Sequence, residues 1–237
     1  MANTYFKFKQ FTVYQDQSAM KVCTDACIFG AWFAEKISNY TYVLDIGSGT
    51  GLLMLMLAQK MKSEIHGIEV DLASFKQLRD NISKSSFSDK FKLFAGDART
   101  YAFPDTYDFI ICNPPFYSGD LKSDDERKNL AKHDTGLTLP ELLSVIDRNL
   151  SMNGSFGILL PFHRVNEFSE MAKERGFHLL DELQVRQSTA HTPFRGILHF
   201  GRKKVEPSES QELTIKDADG NYTVEFKELL RDYYLQL

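Results

Sequence analysis

The chain has 237 residues and a formal net charge of -4, an acidic balance that argues against a protein coating nucleic acid by charge alone. With 43% hydrophobic and 13% aromatic residues it carries enough apolar side chains for a sizeable core, which excludes an intrinsically disordered chain. No apolar run approaches the roughly 18 residues of a membrane-spanning helix, and the first residues lack the pattern of a secretory signal.

Strand and helix patterns alternate along most of the chain. Short apolar, β-branched runs predict strands, and longer segments with apolar residues three and four apart predict helices. In chain order we predict a strand at 42–46, a helix at 52–61, a strand at 65–70, a helix at 73–85, strands at 91–94 and 107–112, a helix at 139–150, a strand at 154–160, a helix at 165–175, and strands at 177–186 and 194–201. This alternation predicts βαβ units and a parallel α/β sheet.

The end of the chain has a different pattern. Residues 213–222 predict a hairpin that turns at Asp219-Gly220, and residues 224–235 predict a short helix. A polar segment containing a proline precedes them. We therefore expect one α/β domain over residues 1–205 and a hairpin-and-helix appendage over residues 206–237.

A glycine-rich loop, Asp45-Ile46-Gly47-Ser48-Gly49-Thr50-Gly51, lies between the first of these strands and its helix. The glycines let the backbone approach a ligand, and the helix that follows offers free N–H groups. Asp45 would repel a pyrophosphate but suits a ligand with a cationic group, such as the ammonium or sulfonium of S-adenosylmethionine. Glu69 ends the next strand about 20 residues after Gly47, the spacing expected for a ribose-hydroxyl acceptor.

Two further cofactor contacts are predicted after the third strand. Asp97 and Ala98 follow that strand in the sequence Gly96-Asp97-Ala98, where Asp97 can accept a hydrogen bond from the adenine amino group. The predicted cofactor-binding residues from the loop and the strand ends are therefore Asp45, Gly47, Gly49, Gly51, Glu69, Asp97 and Ala98, joined by Asn113 after the fourth strand.

The fourth strand ends in Asn113-Pro114-Pro115-Phe116. The prolines fix φ and lack N–H donors, which leaves the Asn113 side-chain oxygen and the Pro114 carbonyl as rigid acceptors. The exocyclic amine of a nucleobase is a poor nucleophile because its lone pair is delocalised into the ring. Two acceptors would take both of its N–H bonds and aim the lone pair at a methyl carbon, by positioning and electrostatics rather than by a strong base. Phe116 would stack on the base.

The loop, the carboxylates and the Asn-Pro-Pro-Phe motif resemble the class I methyltransferase family over residues 43–160. The motif is similar to the (Asn/Asp)-Pro-Pro-(Tyr/Phe) of amino methyltransferases that act on adenine N6, guanine N2 or a glutamine side chain. The resemblance implies a Rossmann-like class I methyltransferase fold, with a mostly parallel seven-stranded sheet and helices on both faces. It also implies S-adenosyl-L-methionine as the cofactor.

Both ends of the chain resemble the bacterial tRNA(Val) (adenine-N6)-methyltransferase family, which modifies an adenine beside the anticodon of a valine tRNA. The resemblance lies in residues 6–11, 20–22, 24–25, 30–32, 213–215 and 219–223. It implies that an N-terminal segment, residues 1–40, packs over the cofactor, with Lys21 and Thr24 lining its pocket. Phe116 stands where tyrosine is commoner, and phenylalanine there also occurs in guanine-N2 enzymes. RNA guanine-N2 methylation, protein glutamine methylation and a non-catalytic nucleotide- or RNA-binding module therefore stay open.

Cations interleaved with aromatic residues predict local contacts to tRNA, with no membrane partner. The predicted contacts are Lys7, Lys9, Arg127, Lys128, Lys132 and Arg195, and residues 120–132 are expected to form a mobile lid. The histidines are scattered and Cys23 and Cys27 lack further ligands nearby, so no metal site is expected. Three cysteines are too few for a disulfide framework and predict a reducing, cytoplasmic location. We expect a monomer or a weak homodimer.

Overall fold

The secondary structure follows the predicted alternation closely. The computed structural model describes residues 3–18, 20–37, 40–115, 136–205 and 210–237. Its strands are β1 (Tyr5–Lys7), β2 (Thr12–Tyr14), β3 (Tyr42–Ile46), β4 (Glu64–Glu69), β5 (Phe91–Ala95), β6 (Tyr107–Cys112), β7 (Leu150–Pro161), β8 (His178–Ser188), β9 (Pro193–Gly201) and β10 (Gln211–Lys216). Its helices are α1 (Thr24–Lys36), α2 (Leu52–Lys60), α3 (Leu72–Ser83), α4 (Leu139–Asn149), α5 (Val165–Glu174) and α6 (Val224–Leu230).

Within the described ranges, eight strands form one sheet in the order β10-β8-β9-β7-β6-β3-β4-β5, and β1 and β2 form a separate antiparallel pair. The pairs from β7 through β6, β3 and β4 to β5 are parallel, as is β10 with β8, whereas β9 runs antiparallel to both of its neighbours. The prediction of a mostly parallel sheet is confirmed, and β10 supplies a strand beyond the seven expected.

Alternate side chains of the central strands point to opposite faces, and each face is covered by helices. Val43 and Phe109 pack in one apolar cluster with residues of α1, α2, α3 and α6. Leu44 and Ile110 pack in the other cluster with residues of α4 and α5. This burial on both faces explains why these strands are continuous apolar runs rather than alternating ones, and it confirms the predicted helices on both faces.

Helix α1 has no counterpart among the predicted elements. Its residues from Asp25 to Ala34 are all buried, so the helix shows no polar stripe that would reveal its period. Phe33, for example, contacts Phe29, Trp32 and Phe109 with ring centroids 4.8 to 5.3 Å apart. A helix enclosed on all sides is hard to distinguish from a buried strand by sequence pattern alone.

The predicted C-terminal hairpin needs correction. The turn forms: the Asp217 N–H donates to the Asn221 carbonyl at 2.9 Å, and Gly220 adopts a φ of +82°. Its first arm, however, is β10, which pairs in parallel with β8 and extends the main sheet. The second arm contributes a single bridge, from Tyr222 to Lys216. The division of the chain at residue 205 stays a prediction.

The carboxyl ends of β3, β4, β5 and β6 meet at one edge of the sheet. Ile46 is paired with Ile68 on one side and with Cys112 on the other, and Glu69 is paired with Ala95. This register brings the glycine loop and the predicted polar residues after each strand to the same edge. None of the helices in the described ranges is long and apolar enough to cross a membrane.

Candidate active site

A cavity of about 280 Å³ opens at this carboxyl edge. The predicted residues that line it are Gly47, Gly49, Glu69, Asp97, Ala98, Asn113 and Pro114. The structure therefore brings together residues from four separate loops, which the sequence related only through the expected register of parallel strands. Ser18, Met20, Arg99, Gly136 and Leu137 also line the cavity and were not predicted.

The glycine loop turns in a conformation that side chains rarely adopt. Gly47, Gly49 and Gly51 have φ values of +74°, +54° and +82°. A Cβ on Gly47 would meet nothing within 4 Å, because this residue faces open space at the cavity. A Cβ on Gly51 would lie 2.7 Å from Leu78 Cδ1, so this glycine permits close packing against α3, and its contact with the cofactor stays a prediction.

Asp45 carries a buried carboxylate directly before the residues that line the cavity. Its exposed fraction is 1%, and neither side-chain oxygen has a hydrogen-bond partner within the described part of the chain, because the neighbouring Ser48 hydroxyl donates to the Asp45 backbone carbonyl at 2.9 Å. Burial, with the nearby charge of Glu69, raises the pKa of Asp45 to about 8. A buried carboxylate without a partner is unfavourable when ionised, and a cationic group of a ligand would compensate it.

Glu69 holds the glycine loop as well as lining the cavity. Its Oε2 accepts the Gly49 N–H at 2.9 Å, and its Oε1 accepts the Asp71 N–H at 2.8 Å. The loop is held further by the Gly47 and Ser48 N–H groups, which donate to the Ile68 carbonyl at 3.0 and 3.1 Å. The carboxylate is thus fixed in place before any ligand binds.

The Asp97 carboxylate is bound by the side chain of Arg99. The Arg99 guanidinium donates to both carboxylate oxygens, from Nε at 3.0 and 2.9 Å and from Nη2 at 2.7 Å. These hydrogen bonds lower the pKa of Asp97, so the carboxylate stays ionised. Asp97 and Ala98 line the cavity next to Gly96, and their contact with the adenine of the cofactor stays a prediction.

Asn113 presents an unsatisfied acceptor at the cavity. Its Oδ1 is buried and has no hydrogen-bond partner among the described residues, and Pro114 and Pro115 line the cavity beside it. Because a buried polar atom is usually paired, this oxygen points to a donor on a bound ligand. Phe116, the predicted stacking residue, lies outside the described residues.

The N-terminal segment reaches the cavity through different residues from those expected. Lys21 Nζ donates to the backbone carbonyls of Gln15 and Ser18, and Thr24 is the first residue of α1. Neither Lys21 nor Thr24 is among the residues that line the cavity, and their contact with the cofactor stays a prediction. Lys21 instead shapes the turn that carries Ser18, because its ammonium satisfies two carbonyls of that turn.

Two buried amides of α3 fix the N-terminal segment beside the glycine loop. Asn81 Nδ2 donates to the carbonyls of Tyr14 and Thr50, at 2.8 and 2.9 Å. Gln77 Oε1 accepts the Gln17 N–H at 3.2 Å. Their only sequence signal is a polar residue in the buried stripe of an amphipathic helix, which does not reveal the partner.

The predicted RNA contacts fall into three groups. Lys7 is exposed, whereas the Lys9 ammonium donates to the Arg231 carbonyl and Arg195 Nε forms an ion pair with Asp25 Oδ2 at 2.7 Å. Outside the described residues lie Arg127, Lys128 and Lys132, together with the expected lid at 120–132. Among the residues whose placement is known, His, Cys, Asp and Glu form no group of three or more able to hold a metal ion.

The chain is similar to known methyltransferases over most of its length. Residues 29–180 match the methyltransferase small domain family. The chain is 40% identical over 238 residues to a tRNA1(Val) (adenine(37)-N6)-methyltransferase of Dyadobacter fermentans, covering 99% of this chain and 98% of the relative. Seven further relatives with the same name are 33% to 38% identical over at least 98% of the chain.

Solved structures share the fold at low sequence identity. A predicted O-methyltransferase from Agrobacterium tumefaciens has a TM-score of 0.66 at 15% identity, covering 88% of this chain and 96% of that protein. The glycopeptide N-methyltransferase MtfA in complex with S-adenosyl-L-methionine has a TM-score of 0.54 at 11% identity, covering 75% and 87% of the two chains. The expected class I methyltransferase fold is thereby confirmed.

Proposed function

Because the chain belongs to the methyltransferase small domain family, and within it to the tRNA1(Val) (adenine(37)-N6)-methyltransferases, we propose that it methylates an adenine of tRNA. The methyl group comes from S-adenosyl-L-methionine, and the acceptor is the exocyclic N6 of the adenine next to the anticodon of a valine tRNA. The observation that carries the proposal is the buried Asn113 Oδ1, which has no hydrogen-bond partner among the described residues and lies beside Pro114 at a cavity that the glycine loop also lines.

The acidic groups in and beside the cavity suit the polar groups of S-adenosylmethionine. Asp45 would compensate the cationic methionine end, Glu69 would accept from the ribose hydroxyls, and Asp97 would accept from the adenine amine. Gly47 and Gly49 let the backbone come close to the ligand because neither carries a Cβ. When bound, this cofactor supplies an electrophilic methyl group on a sulfonium.

Asn113 and Pro114 would orient the target amine. Its two N–H groups donate to the Asn113 Oδ1 and the Pro114 carbonyl, which favours a pyramidal nitrogen with its lone pair free. No strong base is required, because the amine proton becomes acidic only after the nitrogen has been methylated. The adenine must leave its stack to reach this position, and Phe116 is proposed to stack on it there.

The contacts to tRNA are proposed to be local, which suits a chain of net charge -4. Lys7 supports this best, because it is exposed on the face of β1 that also carries the exposed Tyr5. Arg195 is paired with Pro161 of β7, at the same sheet edge as Asn113. The proposed contacts otherwise stay as predicted: Lys9, Arg127, Lys128 and Lys132.

Location and assembly are part of the same proposal. Cys23, Cys27 and Cys112 are free thiols, which agrees with a reducing cytoplasm, where tRNA is modified. A monomer, or at most a weak homodimer, is proposed.

Transfer of tritiated methyl from S-adenosylmethionine to bulk tRNA tests this function, followed by digestion to nucleosides. Recovery of N6-methyladenosine is expected. N2-methylguanosine would replace the adenine proposal by guanine-N2 methylation, and no transfer to any RNA would favour glutamine methylation or a binding module.

A matched pair of variants tests the role of Asn113. Asn113→Ala should lower turnover by about 10²–10³-fold while the affinity for S-adenosylhomocysteine changes little. Asn153→Ala is the control, because Asn153 is exposed at the far end of β7. Loss of cofactor affinity in Asn113→Ala would show that Asn113 is structural.

A further inference from the structure

Arg99 connects the adenine end of the cavity with the start of helix α4. Besides its hydrogen bonds to both Asp97 oxygens, its Nη1 lies 3.3 Å from Glu141 Oε1. Glu141 is in the first turn of α4 and caps that helix, because its Oε2 accepts the Thr138 N–H at 2.8 Å. One guanidinium therefore contacts a carboxylate at the cavity and a carboxylate that fixes a helix N-terminus.

The backbone just after Asp97 is also held by a residue near the C-terminal end of α4. Arg148 Nη2 donates to the carbonyls of Ala98 and Arg99, at 3.3 and 3.1 Å. Gly136 and Leu137, just before α4, line the cavity themselves. The backbone around Asp97 and the entry to α4 are thus held as one unit by two arginines.

The hydrogen bonds leave Asp97 with little freedom. Its Oδ1 accepts the Arg99 backbone N–H at 2.9 Å as well as Arg99 Nε, whereas Oδ2 is bound only by the guanidinium among the described residues. Three N–H groups, with the Arg99 Nε–H shared between the two oxygens, therefore occupy a carboxylate that has about four lone-pair sites, which leaves room for one further donor. A planar guanidinium that binds both oxygens also fixes the plane of the carboxylate.

Stability does not explain this arrangement. The side chains of Asp97 and Arg99 are each 32% exposed, and that of Glu141 is 40% exposed. Ion pairs this accessible to water contribute little to the free energy of unfolding. The contact of Arg99 with both oxygens of Asp97 instead fixes the orientation of a carboxylate that lies at the cavity.

We propose that Arg99 is a positioning residue for adenine recognition: it holds the Asp97 carboxylate, with Glu141 as its second anchor, so that the remaining acceptor site of the carboxylate meets the exocyclic amine of the cofactor's adenine. The inference rests on the proposed use of this cavity for S-adenosylmethionine. It assigns discrimination between amino and oxo purines to an arginine that needs no contact with the ligand. The role of Glu141 is to keep the guanidinium from rotating away.

Calorimetric binding of two ligands tests the inference without any RNA. S-adenosylhomocysteine carries the adenine amine, and S-inosylhomocysteine has a carbonyl oxygen in its place. The wild-type chain should prefer the first ligand. Arg99→Gln should reduce that preference about fivefold to tenfold, through weaker binding of S-adenosylhomocysteine alone. Glu141→Gln should have a smaller effect in the same direction.

Three further measurements separate positioning from a structural role. The double variant Asp97→Asn with Arg99→Gln should lose no more of the preference than Asp97→Asn alone, because both substitutions act on the same interaction with the adenine amine. Arg79→Gln is the matched control, since Arg79 is exposed on α3, and it should change neither affinity. Arg99→Lys keeps the charge without the planar fork and should recover only part of the preference, while thermal unfolding verifies that each variant is folded.

Each alternative outcome contradicts the inference. Equal weakening of both ligands in Arg99→Gln would show a structural role, and unchanged binding would show no role. A wild-type chain that binds both ligands equally would also overturn it. Since these ligands carry no transferable methyl group and the assay contains no tRNA, failure of the proposed methyl transfer would appear separately, in the nucleoside analysis.

Discussion

The backbone N–H of Gly49 donates a 2.9 Å hydrogen bond to Glu69 Oε2. Glu69 ends β4 and Gly49 lies in the loop after β3, so one carboxylate links two neighbouring strand ends at the cavity. Its other oxygen accepts the Asp71 N–H, at the N-cap of α3. The residue proposed to bind the ribose is therefore also the residue that shapes the cofactor loop.

This double role predicts a combined loss in Glu69 variants. Glu69→Ala removes the acceptor of both the Gly49 and the Asp71 N–H groups, so the free energy of unfolding should fall by about 1–3 kcal/mol. The affinity for S-adenosylhomocysteine should fall at least tenfold. Glu69→Gln keeps one acceptor oxygen, so its stability and its affinity should lie between those of the wild type and those of Glu69→Ala. Urea unfolding and calorimetry measure the two effects, and an Ala variant with normal stability would contradict the role in the loop.

The buried Asp45 predicts an unusual dependence of stability on pH. Burial raises the pKa of Asp45 in the folded chain to about 8, whereas the ordinary pKa of an aspartate is 3.8, so the folded state binds more protons than the unfolded state between these two values. The free energy of unfolding of the ligand-free chain should therefore fall as the pH rises through this window. Asp45→Asn should remove this contribution and be the more stable chain at pH 8. Urea unfolding of both chains at several pH values measures this dependence.

The same carboxylate predicts proton release on cofactor binding. A cationic ligand favours the ionised form of Asp45, so binding at pH 7 should release a proton. Calorimetry in two buffers with different ionisation enthalpies measures this release. The Asp45→Asn variant should release none by this route, and an unchanged release would show that the proton comes from another group.

Two glycines offer a matched test of the cavity. Gly47 and Gly176 have φ values of +74° and +79°, and a Cβ on either would meet nothing within 4 Å. Alanine at either position should cost about 1–2 kcal/mol in the free energy of unfolding, from backbone strain alone. Only Gly47→Ala should also weaken S-adenosylhomocysteine, because only Gly47 lines the cavity. Equal affinities in the two variants would remove Gly47 from the ligand contacts.

The acceptor role of Asn113 predicts opposite results for two substitutions of similar size. Asn113→Asp keeps an oxygen acceptor and should retain about a tenth of the methyl transfer or more. Asn113→Leu has no acceptor and should lose about 10²–10³-fold. Initial rates at saturating tRNA measure both variants. Comparable activity in the Leu variant would mean that shape, not hydrogen bonding, orients the amine.

Local chemistry determined much of this protein from sequence. The bounds of β3 and β6 were predicted to the residue, because both are apolar runs ended by residues with strong turn preferences. The glycines at 47, 49 and 51 fixed a left-handed turn, and Asn113-Pro114-Pro115 fixed a rigid strand end. Glu69 and Asp97 follow successive strands, and the parallel register of those strands was enough to predict that both residues lie at the same edge of the sheet.

The tertiary structure alone decided which distant residues meet. It placed β10 beside β8, enclosed α1 on every side, and brought Ser18 rather than Lys21 to the cavity. It also showed that Asp97 is held by Arg99 and, through it, linked to Glu141. A sequence pattern records which face of an element is buried, but not which remote side chain or backbone group supplies the partner. Those partners are set by packing between elements, and here they orient the carboxylates that the sequence had already identified.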